Sequence, residues 1–284
     1  ALQFLEFDHG DGIEVALGGG RVNFLPSGAA DPEGADNQEG RQDGRNLVNE
    51  WQQKHENSAF IWNQAQFDAI DAGSLEHLLG LFNSDHMQFE ADRADDPGGE
   101  PSLAEMTRKA IEMLERNPKG FFLLVEGGRI DHAHHDNNAY RALTDGIAFA
   151  EAVGIADQLT DASDTLIIVT ADHSHPFTIG GYTTRGNPIL GKVVENNSQG
   201  GVNDFHAETD DGKTFTTLGY QIGPGGAWVG GPRPDLKDVD TIRDKEFLQH
   251  AGLSLEDGTH SGEDVAIYAR GPGAEKVRGV MEQN

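Results

Sequence analysis

The sequence predicts an α/β fold built on a largely parallel central sheet that is flanked by helices. Residues 121–126 and 165–170 are continuous apolar runs of strand length, a pattern typical of strands buried on both faces. Between them, residues 139–159 are rich in Ala and Leu and predict a long helix. A buried strand, a helix and a second buried strand in succession indicate a parallel α/β sheet.

Three shorter segments extend this plan. Residues 13–17 are apolar and end in three glycines, which predicts a strand followed by a tight loop, and residues 265–268 predict a further strand. Residues 102–116 predict a helix, because Ser102 and Glu105 form a capping box at its start. Apolar residues then recur on one face of that helix at spacings of three and four.

The chain changes character in its second half. Residues 179–257 are rich in Gly and Pro, have no sustained apolar period and predict a loop-rich insertion. We therefore expect residues 1–178 to form part of an α/β core that holds two His-rich motifs. Residues 258–284 are expected to return to that core with a third motif.

The chain is strongly acidic, with 48 Asp and Glu against 21 Lys and Arg and a formal net charge of -27. Such a surface repels phosphate backbones, which argues against nucleic acid as the main partner. An anionic substrate would instead need a local positive centre, and a bound metal ion supplies one. The chain has no Cys, so any transition-metal site must use His, Asp and Glu.

The first His-rich window, residues 125–135, follows the first predicted buried strand, at the strand end where α/β sheets bind ligands. Asp131 and His135 are four residues apart, so one helical turn places both on one face, at a workable spacing for two ligands of one Zn²⁺. Glu126 ends the strand and is able to point into the same cleft. The alternative is a solvated polar loop, which the density of His and carboxylates here disfavours.

The second window, residues 170–175, follows the second predicted strand. Asp172 and His173 are able to bind a second ion, but Asp172 is equally an ordinary N-cap for a strand-to-helix turn. Ser174 lacks the nucleophile-elbow pattern, which argues against a Ser-His-Asp arrangement. His260, in the third motif, would complete a three-ligand catalytic site with Asp131 and His135 and leave one position open, although a lone His is usually structural.

These three stretches resemble the metal-binding motifs of alkaline phosphatases. The first reads Val-Glu-Gly-Gly-Arg-Ile-Asp-His-Ala-His-His from residue 125, the second Thr-Ala-Asp-His-Ser-His from residue 170, and the third Thr-His-Ser-Gly-Glu-Asp-Val-Ala from residue 259. They occur in the family's order and on matching elements. The resemblance covers nearly the whole chain, including residues 17–20 and 101–107.

The resemblance implies two zinc ions and one magnesium ion. The implied ligands are Asp131, His135 and His260 for the first zinc ion, Asp172 and His173 for the second, and Glu126 for the magnesium ion. His132 resembles a residue that tunes the magnesium site and phosphate binding without binding a metal itself. Residues 179–257 resemble the crown subdomain near the dimer interface. Animal members bind calcium through a Phe-Glu pair, whereas Phe82 is followed here by Asn83, a departure from that pattern.

The resemblance further implies a phosphate monoester hydrolase that works through a phosphoserine intermediate and releases inorganic phosphate. Such enzymes are homodimers of the periplasm or the extracellular space. The family's nucleophilic serine lies upstream of residue 1, so we expect a C-terminal portion that supplies most metal ligands, is inactive alone and has a separate N-terminal fragment as a partner. Two alternatives stay open: a zinc-binding fragment or subunit without catalysis, and a related sulfatase or phosphodiesterase.

Overall fold

The computed structural model describes residues 1–34, 37–225 and 231–282. These residues divide into two compact units. The first unit comprises Ala1–Glu126 with Ala148–Asp161, and the second comprises Gly127–Ile147 with the residues from Ala162 onward. The division predicted from the sequence, at residues 178 and 257, stays a prediction.

The helices and strands are named in chain order. The α-helices are α1 Leu2–Glu6, α2 Leu47–Lys54, α3 Gln64–Ala69, α4 Leu103–Leu114, α5 Arg129–His135 and α6 Ala139–Leu159. The strands are β1 Val15–Gly18, β2 Ser58–Ile61, β3 His77–Leu81, β4 Ile167–Val169, β5 Phe177–Ile179, β6 Leu218–Gly223, β7 Ala251–Ser254 and β8 Tyr268–Arg270. Short 3₁₀ turns occupy Arg21–Asn23, Arg93–Asp95 and Ala274–Lys276. Among the described residues, no helix combines the length and the apolar composition needed to cross a bilayer.

The first unit is built around a parallel sheet with strand order β1-β3-β2. The central strand β3, His-Leu-Leu-Gly-Leu, is buried along its whole length, and after His77 its residues are apolar on both faces. Leu78 of β3 packs with Phe67, Phe82 and Met113 in one core cluster. The parallel sheet and its flanking helices confirm the predicted fold class.

Helix α4 forms as its sequence predicts. The Ser102 hydroxyl accepts a hydrogen bond from the Glu105 backbone N–H at 3.2 Å, and the Glu105 carboxylate accepts one from the Ser102 backbone N–H at 2.7 Å. This reciprocal capping box satisfies two backbone donors that a helix start otherwise leaves unpaired. Ala110 and Met113, on the predicted apolar face, are buried.

The second unit contains two small sheets. Strand β6 lies between β5, which is antiparallel to it, and β7, which is parallel to it. Leu218 and Tyr220 of β6 form a buried cluster with Ala139 and Ala251. The second sheet pairs β4 with β8 in antiparallel orientation. These strands fix the segments that supply the functional side chains described below.

Three predicted strands require correction. Residues 121–126 form no strand, and Phe122 is 88% exposed and Leu124 77% exposed. Strand β4 is shorter than predicted and half-buried, and β8 begins at Tyr268, where the predicted strand was to end. An apolar run predicts burial, but a fully buried strand also needs neighbours on both edges and covering layers on both faces, which the run itself does not supply.

Candidate metal centre

Helix α5 presents two of the predicted ligands on one face. It begins after the glycine pair at residues 127 and 128 and contains both Asp131 and His135. One helical turn separates the two residues, and Oδ1 of Asp131 lies 3.4 Å from Nε2 of His135. This is the placement that their four-residue spacing predicts.

Four imidazoles converge on the carboxylate of Asp131. The distances from its Oδ1 to the Nε2 atoms are 2.6 Å for His175, 3.4 Å for His135, 3.6 Å for His260 and 3.7 Å for His173. Ligand atoms of Asp131, His173, His175 and His260 all lie within 4.8 Å of one another. One carboxylate among several imidazole nitrogens is the donor set that zinc prefers when Cys is absent.

A backbone bridge brings the distant segments together. Ser174 and Ser261 form an isolated antiparallel bridge, in which the Ser261 N–H donates to the Ser174 carbonyl at 2.9 Å. The Ser174 hydroxyl also donates to the Glu263 carboxylate at 2.8 Å. Because His173, His175 and His260 flank this bridge, their rings are held at the same place. The rings of His173 and His260 stack with centroids 3.5 Å apart.

The orientation of the His135 ring is suited to binding a cation. Its Nδ1 lies 2.6 Å from the carbonyl oxygen of Gly258, and a carbonyl only accepts, so Nδ1 carries the proton. In the neutral ring, Nε2 therefore presents its lone pair, and it lies 3.1 Å from Nε2 of His260. Two imidazole nitrogens and a carboxylate that face each other this closely are suited to share a metal ion, with the Gly258 carbonyl fixing the tautomer.

Asp131 and His175 form the shortest contact of the cluster. Burial would raise the pKa of Asp131, but the hydrogen bond from His175 and the neighbouring imidazoles outweigh it and hold that pKa below its ordinary value. Burial lowers the pKa of His175, so its ring is neutral at pH 7. Nδ1 of His175 is buried and has no hydrogen-bond partner among the described residues. Metal binding requires deprotonated ligands, and an anionic Asp131 meets that requirement.

The other predicted site residues are Asp172, His132 and Glu126. Asp172 is 82% exposed at its side chain, and its Oδ2 lies 3.4 Å from Nε2 of His173. His132 lies on α5 with its Nδ1 3.1 Å from a guanidinium nitrogen of Arg129. Glu126 is exposed and belongs to the first unit, and its role in a magnesium site stays a prediction.

His175 lies in the second window but is not among the ligands predicted from the sequence. The only local signal was its position two residues after His173, which in an extended segment places both side chains on one face. His134 belongs to the first window but has no predicted role, and Tyr220 is not predicted at all; the two hydrogen-bond to each other beside the cluster. Burial lowers the pKa of His134 to about 4, so this ring too is neutral.

Comparison with known proteins identifies the family. The family model for alkaline phosphatase matches residues 6–284. The tissue-nonspecific alkaline phosphatase of Felis catus is 43% identical over 278 residues, which cover 96% of this chain and 50% of that protein. An alkaline phosphatase of Gadus morhua is 41% identical over 283 residues, which cover 98% of this chain and 56% of that protein.

A solved structure agrees with this match. The crystal structure of Thermus thermophilus alkaline phosphatase aligns with a TM-score of 0.53 and 32% identity, over 64% of this chain and 35% of that one. The chain spans about half the length of the curated relatives that it matches. The chain belongs to the alkaline phosphatase family.

Proposed function

We propose that this chain supplies the metal-binding portion of a phosphate monoester hydrolase. The observation that supports this most strongly is the convergence of His135, His173, His175 and His260 on the single carboxylate of Asp131. The net charge of -27 adds weight, because an anionic ester would approach such a surface only where local positive charge outweighs it.

We propose that the complete enzyme binds two zinc ions and one magnesium ion. The proposed ligands are Asp131, His135 and His260 for the first zinc ion, Asp172 and His173 for the second, and Glu126 for magnesium. When bound, the ions would supply the positive charge that stabilises the attacking and leaving oxygens of an in-line phosphoryl transfer. The chain's own part is to hold Asp131 anionic and to orient the imidazoles of His135, His173 and His260 towards it.

Serines near the cluster are engaged elsewhere, which favours a nucleophile from outside these 284 residues. The Ser174 hydroxyl donates to Glu263, and hydrogen bonds from Ser261 and Ser174 lower the pKa of that carboxyl. Both hydroxyls are thus directed at a carboxylate rather than at an imidazole base. We therefore propose that a further polypeptide portion supplies the phosphoserine nucleophile and that this chain alone is inactive.

Exposed apolar side chains in each unit support the proposal that a further polypeptide portion packs against this chain. In the first unit, Phe122 and Leu124 face solvent in a segment whose sequence is that of a buried strand. In the second unit, Ile168 and Tyr268 are exposed on the two-stranded sheet. Ile168 and Tyr268 lie on opposite faces of that sheet, so each face carries an exposed apolar side chain. Exposed apolar patches usually mark contact with another polypeptide. By likeness to the family, we further propose that the complete enzyme is a homodimer of the periplasm or the extracellular space.

The test is hydrolysis of p-nitrophenyl phosphate by the chain alone and after addition of the N-terminal half of an alkaline phosphatase relative, with zinc measured by elemental analysis. We expect bound zinc and no turnover from the chain alone, and turnover after complementation that a chelator abolishes. Rapid hydrolysis by the isolated chain would show that the nucleophile lies within it.

Two other functions give different results in the same experiment. A zinc-binding subunit without catalysis would hold zinc and stay inactive after complementation. A sulfatase or phosphodiesterase would turn over sulfate esters or phosphodiesters faster than the monoester. The site motif at residues 259–264 and the density of His in residues 131–135 favour the monoesterase.

A further inference from the structure

We propose that Tyr220 and His134 are positioning residues that hold His175 against Asp131 and so raise the affinity of the centre for its metal ion. This inference rests on the proposed metal-binding function. Neither residue belongs to the group of potential ligands around Asp131. His134 stacks on the ring of His175, and Tyr220 hydrogen-bonds to His134.

The position of Tyr220 is fixed by its strand and by the core around its side chain. It lies on β6, the central strand of its sheet, where it pairs with Phe177 on one side and Ala251 on the other. Its side chain is buried in a cluster with Ala139 and Leu218. Because both neighbouring strands restrain the backbone and the core restrains the ring, its hydroxyl has a fixed position.

The Tyr220 hydroxyl fixes the ring of His134. The distance between the hydroxyl oxygen and Nδ1 of His134 is 2.8 Å, and the phenolic O–H is the natural donor to a neutral imidazole. The rings of His134 and Phe177 also lie 5.0 Å apart. Since His134 immediately precedes His135 on α5, this contact also ties the last turn of that helix to the sheet.

His134 in turn supports His175. The two rings stack with centroids 5.1 Å apart and an interplanar angle of 25°, whereas the rings of His135, His173 and His260 meet His175 at 64° to 89°. His175 donates one hydrogen bond, at 2.6 Å to Asp131, while its other ring nitrogen has no partner among the described residues. A single hydrogen bond leaves the rotation of the His175 ring about that bond to be restricted by packing, and the nearly parallel face of His134 covers one side of the ring.

The consequence is a series of contacts from a sheet to a metal ligand: Tyr220 to His134, His134 to His175, and His175 to Asp131. Partners that orient metal ligands typically change metal affinity about 10- to 100-fold when they are removed. Tyr220 acts through two intervening rings, so we expect a smaller effect, about 3- to 10-fold in the zinc dissociation constant.

The experiment compares Tyr220→Phe with the matched control Tyr182→Phe, since Tyr182 lies in the same unit and is 89% exposed. Zinc affinity is measured by competition with a chromophoric chelator, and the geometry of the site by the visible spectrum of the Co²⁺-substituted chain. Thermal unfolding of the metal-free chain separates a change in the site from a change in the fold.

We expect Tyr220→Phe to weaken zinc binding about 3- to 10-fold and to alter the Co²⁺ spectrum, with the control unchanged. His134→Leu should have a similar effect, and the double variant should lose little more than either single variant, because the two residues act as one unit. His134→Asn, which keeps a polar atom near the position of Nδ1, should restore part of the affinity.

Two results would overturn the inference in distinguishable ways. If the wild-type chain binds neither zinc nor Co²⁺, the proposed function itself fails. If the wild type binds metal but Tyr220→Phe retains its affinity and its Co²⁺ spectrum, the metal centre stands and the positioning role is refuted. A lower unfolding temperature with unchanged affinity belongs to the second case, because it assigns Tyr220 to the core alone.

Discussion

Replacing Asp131 with asparagine is the most direct test of the metal centre, because it removes the charge of this side chain and keeps its shape. The Asp131→Asn variant still offers an amide oxygen to His175, whose Nε2 lies 2.6 Å from Oδ1 in the wild type. The substitution removes the negative charge that lies within 3.7 Å of the Nε2 atoms of His135, His173 and His260.

The expected loss follows from the number of ligands. A four-ligand zinc site binds with about 10–16 kcal/mol, so one ligand accounts for roughly 3 kcal/mol. At about 1.4 kcal/mol for each tenfold change, zinc should bind Asp131→Asn about 100-fold more weakly than it binds the wild type. The substitution should lower the zinc affinity and leave the free energy of unfolding of the metal-free chain nearly unchanged. The Asp131 side chain is partly exposed, and its hydrogen bond with His175 is retained in the variant.

The assay is a chelator competition titration at fixed pH, with elemental analysis for stoichiometry. Asp204→Asn, an exposed residue of the same unit, is the neutral control. Asp172→Asn should lower the stoichiometry by one zinc ion while the remaining ion keeps its affinity, since the carboxylate of Asp172 lies beside His173 at the margin of the cluster. An affinity of Asp131→Asn within about threefold of the wild type would refute the assignment of Asp131 as a ligand, since a lost ligand costs about 100-fold.

Three further predictions concern the fold. Burial lowers the pKa of His250 from 6.5 to about 4, so between these pH values the folded state binds fewer protons than the unfolded state. The free energy of unfolding should therefore fall as the pH drops from 6.5 towards 4, as measured by urea unfolding of the metal-free chain. His250→Gln should flatten this dependence of stability on pH. Leu78→Ala should lower the free energy of unfolding in urea by about 3–5 kcal/mol, because Leu78 is fully buried. The control Leu124→Ala, at an exposed position, should change it by less than about 0.5 kcal/mol. Equal effects of the two substitutions would contradict the described burial. Gly225→Ala should destabilise by about 3 kcal/mol, because a Cβ there would collide with the carbonyl oxygen of Gln249, and an unchanged thermal midpoint would count against that close approach.

Features set by local geometry could be predicted from the sequence. The four-residue spacing placed Asp131 and His135 on one helical face, and the structure has them there at 3.4 Å. The Ser102–Glu105 capping box located the start of α4, and composition alone gave the bounds of α6. Each of these depends on residues within one or two helical turns or on the makeup of one segment, where hydrogen-bond and side-chain geometry are short-range.

Features that depend on distant segments could not be predicted in the same way. The contact of His175 with Asp131 joins residues that are 44 positions apart, and the bridge between Ser174 and Ser261 joins two other distant segments; no local pattern indicates either contact. Residues 121–126 were predicted as a buried strand because apolar composition indicates what a segment prefers, while the neighbours that would bury it are a property of the whole assembly. The pairing of His134 with Tyr220 likewise requires knowledge of where β6 lies.

The bridge between Ser174 and Ser261 also has a consequence for the order of folding and metal binding. It joins stretches far apart along the chain, a contact of the kind that forms late because a long loop must close first. Before that loop closes, His260 does not lie near Asp131, and a partly folded intermediate offers an incomplete set of metal ligands. Metal loading should therefore report that the second unit has finished folding, and a bound ion should slow its unfolding far more than it speeds its folding.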